Sequence, residues 1–534
     1  MTPITKPPNI IIILADDMGF SDIGCFGSEI KTPHLNAMAE EGIRFSQMYN
    51  CARCCPTRAS ILTGLYPHQA GVGHMIADLG VGKAYQGYLS DDCVTIAEAL
   101  KPAGYSTFYC GKWHTAPGLP VKGSPAVAPG KEKNPYPLSR GFDRFYGTLA
   151  GCGNYFNPHG LMEQDKQISH GSPDFYYTDA ISDKACSMIE EAARKQVSFL
   201  LHVCYTAPHW PLHAKPEDIE KYRGKYRKGW DFIRTSRHES LKANGILNSK
   251  WKISPRDSNS YDFFTRSKQY QEWEDMRMAV YAAQIECMDR GIGKIINTLK
   301  MNGIENNTFV MFLSDNGGCA EFLNEDGDDK KWPGIYRFTA RPVQICRVGN
   351  IEGLHPGPST TFMSYGLSWA NASNSPFRLY KHWVHEGGIA TPFIIQWPEK
   401  IKHKGSVIHR PCHVIDIMAT CLDIANAKYP SVYNGNNIIP LEGESFLPLL
   451  NGNEKEREKP LFWEHEGNCA VRNKIWKLVK KYPSDWELYN MEEDRTELND
   501  LSSGNETIKR KLIGQYEEWA EKCGALEWPI LKKT

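Results

Sequence analysis

Four short apolar runs in this sequence are each followed by polar side chains that could do chemistry. The four sets are Asp16 with Asp17, Lys112 with His114, His209, and Asp315 with Asn316. Ligands of open parallel sheets bind beyond the carboxyl ends of the strands, so we expect these side chains at one edge of a sheet. That edge would combine three carboxylates, an amide, an amine and two imidazoles.

The acidic members of this set predict a metal site. Adjacent carboxylates after one run and an Asp–Asn pair after another repel each other unless a cation neutralises them. Oxygen ligands select a hard ion, and calcium tolerates irregular oxygen coordination better than magnesium does. Asp16 or Asp17 could instead cap the turn that follows. Two such pairs after two similar runs favour one calcium ion.

The segment that begins at Cys54 has the pattern of a helix start. Pro56 lies in its first turn, and Gly64 follows its last residue. Cys54 would lie at the positive end of the helix dipole, which favours anions and lowers the pKa of a thiol. A single cysteine could equally be a packed core residue. Arg58, one turn further on, and the basic groups predicted nearby favour a nucleophilic or redox-active thiol.

The runs that carry these side chains are continuously apolar, as parallel strands covered on both faces are. The predicted strands lie at 9–14, 105–110, 198–205, 309–313 and 392–397. Helical periodicity is present at 95–101, 179–195 and 276–300. Strands alternating with helices predict an α/β fold with a large, mostly parallel sheet flanked by helices.

The pattern changes after about residue 429 to short strands separated by Asn/Gly turns. We expect strands at 433–437, 462–465, 470–480 and 486–490 and a closing helix at 506–521. This predicts two domains: a catalytic α/β domain over 1–430, and a smaller domain over 431–534 with an antiparallel sheet and a helix. An ordered-loop insertion is expected at 117–137.

One segment stands out by its charge. Residues 221–237 carry seven lysines and arginines interleaved with Tyr222, Tyr226 and Trp230. The pattern predicts a solvated, partly helical surface insertion, with a rim that meets an anionic substrate as the alternative.

The composition excludes several functional classes. The chain has 534 residues, with 62 Lys+Arg and 62 Asp+Glu, so its net charge of zero argues against nucleic-acid or anionic-membrane binding. No apolar run approaches the roughly 18 residues needed to cross a bilayer. No signal peptide is visible, which predicts a cytoplasmic protein, or a periplasmic one if a leader has been removed. The sixteen cysteines are expected to be mostly buried free thiols.

The same residues resemble the type I sulfatase family. Residues 54–58 (CCPTR) are similar to its C-x-P-[ST]-R signature. The other matching segments are residues 8–19, which resemble the opening strand, 111–114 (GKWH), 314–318 (SDNGG), and Lys381 ahead of 385–388 (HEGG). The resemblance spans nearly the whole chain and is strongest to bacterial arylsulfatases.

The resemblance implies an alkaline-phosphatase-like fold and hydrolysis of sulfate monoesters. It also implies that a separate maturation enzyme oxidises Cys54 to Cα-formylglycine, whose hydrate is a geminal diol that attacks sulfur. The spacing to Pro56 and Arg58 selects Cys54 over Cys55. A second cysteine at position 55 departs from the small hydroxyl or alanine that is more usual there.

Roles for individual residues follow from the same resemblance. Calcium would be held by Asp16, Asp17, Asp315, Asn316 and the oxygen of modified Cys54. Arg58 and Lys112 would stabilise the diol, and sulfate oxygens would be bound by Lys112, His209 and Lys381. His209 would protonate the leaving group and His114 would accept a proton, although the sequence leaves open which histidine is acid and which is base.

Two alternatives remain at this point. A phosphomonoester or phosphonate-monoester hydrolase could use the same fold, but a phosphate dianion would favour a second divalent ion or more arginine. A non-catalytic, calcium-stabilised binding domain is disfavoured because the full set of titratable groups is present. The substrate is expected to be a sulfated small molecule or sugar, with Asn154, Tyr155, Phe156 and His159 near the mouth of its pocket.

Overall fold

The computed structural model describes residues 6–117, 135–325, 346–453 and 456–530. Its strands are β1 Asn9–Ala15, β2 Ile43–Tyr49, β3 Ser106–Lys112, β4 Arg144–Thr148, β5 Leu161–Glu163, β6 Lys166–Gln167, β7 Phe199–Cys204, β8 Thr308–Ser314, β9 Arg347–Val348, β10 Thr361–Phe362, β11 Ala390–Gln396, β12 Ser406–Ile408, β13 Cys412–His413, β14 Val432–Tyr433, β15 Asn436–Asn437, β16 Leu461–His465, β17 Asn468–Asn473, β18 Trp476–Lys480 and β19 Trp486–Asn490. Its helices are α1 Pro33–Glu41, α2 Cys54–Thr63, α3 Ile96–Leu100, α4 Tyr177–Lys195, α5 Pro216–Glu220, α6 Gly229–Ala243, α7 Lys268–Met301, α8 Gly366–Ser373, α9 Glu386–Ile389, α10 Asp416–Ala425 and α11 Glu506–Cys523. Most of the insertion expected at 117–137 lies outside the described residues.

A large sheet organises the chain. Its strand order is β12-β2-β11-β8-β1-β7-β3-β4-β5-β6, with β13 also paired to β2. Its centre, β8-β1-β7-β3-β4, is parallel. Every residue of β1, β7 and β8 is buried, as expected for strands covered by helices on both faces. The predicted α/β class with a mostly parallel sheet is confirmed.

The strand predicted at 392–397 forms but runs in the other direction. This strand, β11, is antiparallel to both of its neighbours, β2 and β8. A continuously apolar run predicts burial on both faces, but it carries no information about direction. Strand β2 was not predicted, because the half-exposed Arg44 and Gln47 interrupt the apolar pattern of this strand.

The C-terminal part has the predicted small antiparallel sheet, in the order β16-β17-β18-β19. Helix α11 packs on it through Leu512, which shares an apolar cluster with Val471, Leu478 and Leu488. The single strand expected at 470–480 is a hairpin of β17 and β18, because the chain turns at Lys474, where φ is +54°. The domain boundary at residue 430 remains a prediction.

The basic segment at 221–237 is partly helical and partly solvated, because five of its seven basic side chains are exposed and its other two are buried. Tyr222, Tyr226 and Trp230 are fully buried. Arg237 is buried as well, with Nη1 2.6 Å from Asp22 Oδ1 and Nη2 2.8 Å from Glu29 Oε1. The aromatic residues between the charges were the signal for burial, since they form the apolar face of the segment.

The longest helix, α7, has 34 residues and packs against α4, α1 and α5. Among the helices of the described residues, none has the length and apolarity to cross a membrane. The cysteines are free thiols and most of them are buried, as predicted.

Candidate active site

The predicted polar residues converge at the carboxyl ends of four adjacent parallel strands. Asp16 and Asp17 follow β1, His209 follows β7, and Asp315 and Asn316 follow β8, while Lys112 is the last residue of β3. The strand ends are level, because Leu14 and Gly111 both pair with Cys204, and Ala15 pairs with Ser314. Sheet register therefore brings together side chains from distant parts of the sequence.

Gly111 is required for the close approach of β3 to β7. Its φ is +106°, and a Cβ at this position would lie 1.9 Å from the carbonyl oxygen of Cys204. A larger residue would push Lys112 away from the neighbouring strand ends.

Two further segments complete the cluster. Helix α2 begins at Cys54 and ends before Gly64, whose φ is +68°, as the sequence predicted. Every residue of this helix is buried, including Arg58. Lys381 comes from the loop that precedes α9. We call Asp16, Asp17, Cys54, Arg58, Lys112, His114, His209, Asp315, Asn316 and Lys381 the catalytic cluster.

Each carboxylate of the catalytic cluster is paired with a cation. Lys112 Nζ lies 2.6 Å from Asp16 Oδ2. Arg58 donates to Asp315 Oδ2 from Nη2 at 2.7 Å and from Nε at 3.0 Å. Because all four side chains are fully buried, solvent does not screen these interactions.

Asp17 has the densest set of partners. Its Oδ2 lies 2.8 Å from Lys381 Nζ and 3.2 Å from His209 Nε2. Asn316 donates from Nδ2 to Asp17 Oδ1 at 2.7 Å, so the contact uses the amide nitrogen of Asn316 and not its oxygen. The backbone N–H of Asp17 also donates to Asp315 Oδ1 at 3.2 Å, which links the two acidic strand ends directly.

The cluster shifts the pKa values of its acids in opposite directions. Burial raises the pKa of Asp16 well above its usual range, and the charge of Asp315 raises it further. Burial also opposes ionisation of Asp17, but His209 and Lys381 outweigh it and lower the pKa of Asp17. The negative charge at Asp16 is therefore under-compensated by the side chains around it.

The thiol of Cys54 is strongly polarised. A hydrogen bond from the Cys55 thiol lowers the pKa of Cys54 well below its usual range, and Lys112 and His114 lower it further against the effect of burial. His114 Nε2 lies 3.3 Å from Cys55 Sγ. Burial lowers the pKa of His114 to about 4, so this imidazole is neutral at pH 7.

His209 is held in one orientation by its backbone surroundings. Its Nδ1 lies 2.6 Å from the carbonyl oxygen of Trp210, so Nδ1–H donates there and Nε2 faces Asp17 and Lys381. Burial lowers the pKa of His209 to about 3. The loop that carries His209 is fixed by the Tyr155 hydroxyl, which donates to the carbonyl oxygens of Thr206 at 2.7 Å and His209 at 2.8 Å.

Tyr155 therefore supports the site from behind. Its side chain is 1% exposed, so it does not line the mouth of a pocket. The loop before it does reach the cluster: a Cβ on Gly151 would lie 2.3 Å from the ring of His114. Asn154 is buried and donates to the carbonyl oxygen of Ser359, and Phe156 packs on Tyr176. His159 is exposed.

Sequence reasoning missed the residues that support Asp17 from behind. The Tyr281 hydroxyl donates to Asp22 Oδ2 at 2.7 Å and lies 3.4 Å from the carbonyl oxygen of Asp17. Asp22 in turn accepts from the backbone N–H of Gly19 at 2.8 Å, which closes the turn after β1. A third acidic residue so soon after Asp16 and Asp17 was the available signal.

The cluster fits a hard cation. Asp16 Oδ1 and Asn316 Oδ1 are buried and have no hydrogen-bond partner. Buried oxygens without partners are costly, and a cation coordinated by them would remove that cost. The donors available here are carboxylate and amide oxygens, the set that calcium accepts.

Two known protein families match this chain. The family described as "Sulfatase" matches residues 8–427, and the family described as "N-sulphoglucosamine sulphohydrolase, C-terminal" matches residues 377–522. The chain belongs to the sulfatase family. It is therefore an enzyme that hydrolyses sulfate esters, with an alkaline-phosphatase-like fold.

Individual relatives agree with this assignment. An uncharacterized sulfatase of Schizosaccharomyces pombe is 31% identical, over 98% of this chain and 95% of its own. An arylsulfatase of Klebsiella aerogenes is 33% identical, over 85% of this chain and 94% of its own. Among solved structures, i-CgsB in complex with k-i-k-neocarrahexaose is similar, with 25% identity, a TM-score of 0.67, and coverage of 96% of this chain and 93% of that one.

Proposed function

We propose that this sulfatase cleaves sulfate monoesters of a sugar with the help of one calcium ion and of Cα-formylglycine made from Cys54. The observation that carries the proposal is the pair of buried, unpartnered oxygens, Asp16 Oδ1 and Asn316 Oδ1, within a cluster of lysines and an arginine.

Calcium would be held by Asp16, Asp17, Asp315, Asn316 and the oxygen of modified Cys54. When present, calcium supplies positive charge for the sulfate oxygens, and the oxidised Cys54 side chain supplies the attacking hydroxyl. The remaining chemistry belongs to the residues around them. Arg58 keeps its place through Asp315 and through the carbonyl oxygen of Lys112, which accepts from Nη1 at 2.8 Å.

The two buried lysines are suited to bind sulfate oxygens. Lys112 and Lys381 each share a carboxylate with the proposed calcium site, Asp16 and Asp17 respectively. Burial lowers the pKa of each lysine, but the neighbouring carboxylate outweighs it, so both amines stay charged. Two fixed ammonium groups, one at the end of β3 and one from the loop before α9, match the spread charge of a sulfate monoanion.

The two histidines are suited to proton transfer. The pKa of His114 is lowered to about 4, so His114 is neutral at pH 7 and able to accept a proton. His209 Nε2 lies among Asp17 and Lys381, and a bound sulfate anion would stabilise the protonated ring there. Burial lowers the pKa of both rings, so both are neutral at pH 7 in the free enzyme and we assign the roles by position. His114, beside Cys55, is the proposed base, and His209, beside Lys381 and protonated when sulfate is bound, is the proposed acid for the leaving alcohol.

Modification of Cys54 requires a partner enzyme. The register to Pro56 and Arg58 selects Cys54, and the start of α2 places it where the helix dipole favours a negative charge. Cys55 occupies the next position, and its thiol contacts His114 and Met75 rather than the carboxylates. We propose that a formylglycine-maturation enzyme acts on Cys54 alone.

A sulfated sugar is the substrate class that the relatives favour. The solved structure of i-CgsB holds an oligosaccharide, and one matching family is described by a sulphoglucosamine. Aryl sulfates would be turned over as activated analogues, since their leaving groups need no proton.

Two measurements on the matured protein test the proposal. Peptide mass spectrometry should find formylglycine at position 54 and an unmodified thiol at 55. Turnover on matched sulfated and phosphorylated sugars and on nitrophenyl sulfate should favour the sulfate esters. Fully active protein with only an unmodified Cys54 thiol would contradict the modification, and preference for the phosphorylated sugar would favour the phosphomonoesterase alternative.

A further inference from the structure

A second cluster of metal-ligating side chains lies outside the catalytic cluster. We call His74, His382, His465 and Glu466 the histidine cluster. His382 Nδ1 lies 3.0 Å from Glu466 Oε2, and His74 Nε2 lies 2.7 Å from Glu466 Oε1. His465 Nε2 is 3.9 Å from the same Oε1. Three imidazoles thus surround one carboxylate.

The backbone brings these residues from three distant parts of the sequence. Strand β16 ends at His465, and Glu466 with Gly467 forms the two-residue turn to β17, with φ of +51° and +80°. Positive φ at both central positions is typical of a type I′ turn. His382 comes from the loop after Lys381 and donates its backbone N–H to the carbonyl oxygen of Ala52 at 2.8 Å.

The surroundings of His465 favour the binding of a ligand. Its side chain is fully buried, and neither of its ring nitrogens has a hydrogen-bond partner. A buried polar group without a partner costs free energy that a ligand would recover. Burial also holds the pKa of His465 well below its usual value, so the ring is in the neutral form that binds metals.

We propose that His382, His465 and Glu466 bind a borderline divalent cation such as Zn²⁺. One donor atom of each residue lies within 4.8 Å of the others. Zinc binds nitrogen and oxygen at about 2.0–2.2 Å, which places donors about 3.4 Å apart in a tetrahedron. The pair formed by His382 and Glu466 is already at 3.0 Å, so closure needs only a small movement of the His465 ring.

The donor set separates this site from the calcium site. Imidazole nitrogen suits zinc, copper and nickel, whereas the oxygen donors at Asp16 and Asn316 suit calcium. His74 has a different role, because its hydrogen bond to Glu466 fixes the orientation of the carboxylate, as partners of metal ligands commonly do. The ion would tie the loop of Lys381 to the C-terminal sheet.

Zinc binding by dialysis in excess calcium tests this proposal. His465→Ala and Glu466→Gln should each bind one zinc fewer per chain than the wild type, and His74→Ala should bind it about 10- to 100-fold more weakly. Zinc should raise the melting temperature of the wild type by a margin that His465→Ala loses. His170→Ala, a partly buried histidine that contacts Asn157, is the matched control and should bind as the wild type does.

A competing zinc site must be separated from this one. Cys54, Cys55 and His114 also have donors within 4.8 Å of one another. His114→Ala should keep the zinc of the histidine cluster, and Co²⁺ bound there should lack a thiolate charge-transfer band.

Equal zinc content in the wild type and His465→Ala would overturn the proposal, as would loss of all zinc in His114→Ala. If His465→Ala fails to fold, His382→Gln provides the same test at a side chain that is 27% exposed.

Discussion

Two buried charge clusters in this molecule look alike in composition but differ in how completely they are paired. One is the catalytic cluster. The other, which we call the sheet-junction cluster, joins α9 to the C-terminal sheet through Glu386, Lys477, Arg495 and Glu497. Lys477 Nζ lies 2.9 Å from Glu386 Oε1 and 2.7 Å from Glu497 Oε1, and Arg495 Nε lies 2.8 Å from Glu386 Oε2.

Every carboxylate oxygen of the sheet-junction cluster lies within 3.1 Å of a donor or a cation, although Glu497 Oε1 has only its ion pair with Lys477 and no hydrogen bond. Glu386 Oε2 also accepts from the Tyr49 hydroxyl at 3.1 Å, and Glu497 Oε2 accepts the backbone N–H of Glu386 at 2.9 Å. Arg495 Nη2 has no hydrogen bond, but its guanidinium lies 4.7 Å from the ring of Phe377. This cluster is complete without a ligand.

Some oxygens of the catalytic cluster are further from their nearest partners. Asp16 Oδ1 has no hydrogen bond, and Arg58 Nη2, which forms an ion pair with it, lies 3.8 Å away. Asn316 Oδ1 is buried and unpartnered as well. The comparison teaches that buried charge by itself does not mark a site, because structural networks also bury ion pairs. A buried oxygen that has neither a hydrogen bond nor a close cation, such as Asp16 Oδ1, is the more informative sign.

The largest expected loss of turnover is for a substitution of Cys54 in the catalytic cluster. Cys54→Ala removes the residue that we propose becomes the nucleophile, so we expect turnover in the matured protein to fall by at least about 10⁴-fold. Cys55→Ala is the matched control and should change turnover by no more than a few fold. Steady-state assays of both variants, with comparable melting temperatures, check this. Comparable losses in the two would contradict the assignment of Cys54.

The next largest effect should distinguish the two histidines of the catalytic cluster. If His209 is the acid, His209→Ala should slow a sugar sulfate about 10³-fold more than nitrophenyl sulfate, whose leaving group is stable as an anion. If His114 is the base, His114→Ala should slow both substrates to a similar degree. His385→Ala, at a buried histidine beside the sheet-junction cluster, should change stability and leave this ratio unaltered.

Turnover of the two substrates by each variant, measured under saturating conditions, decides the assignment. Equal losses for both substrates in His209→Ala would show that His209 is not the acid. The leaving-group dependence in His114→Ala instead would mean that the two roles are reversed.

A pair of isosteric variants compares the clusters directly. Asp315→Asn and Glu386→Gln each remove one buried negative charge and keep the shape of the side chain. Asp315→Asn should weaken calcium binding and lower turnover by about 10²-fold, because the negative charge of a proposed calcium ligand and of the ion pair with Arg58 is lost. Glu386→Gln should keep calcium and turnover. Calcium titration and assays check both, and calcium loss in Glu386→Gln would show that the clusters are coupled.

Much of the catalytic cluster could be predicted from the sequence because short motifs carry it. Asp16, Asp17, Lys112, Asp315 and Asn316 each lie within three residues of a strand end, so strand prediction and the rule for parallel sheets bring them together. Features that no local sequence pattern encodes could not be predicted. The direction of β11 depends on the path of the chain before it. An apolar run has the same pattern in either direction, so it cannot predict that direction.

The histidine cluster and the sheet-junction cluster could not be predicted for a related reason. Their members are separated by up to 392 residues, as in the contact of His74 with Glu466. No motif spacing links them, and the packing of the small sheet on the large one brings them together. The burial of Arg237 was missed because its acidic partners, Asp22 and Glu29, lie in a distant segment.

The last expected effect concerns the stability of the sheet-junction cluster in acid. Burial raises the pKa of Glu386, but Lys477 and Arg495 outweigh it and lower the pKa to about 2. A folded-state pKa below the unfolded value of about 4.3 means that ionised Glu386 stabilises the fold at higher pH by about 3 kcal/mol, and that this contribution is lost as the pH falls toward 2. The difference in free energy of unfolding between the wild type and Glu386→Gln, measured by urea titration, should therefore shrink from pH 7 to pH 3. A constant difference over this range would mean that the charge of Glu386 does not hold the junction together.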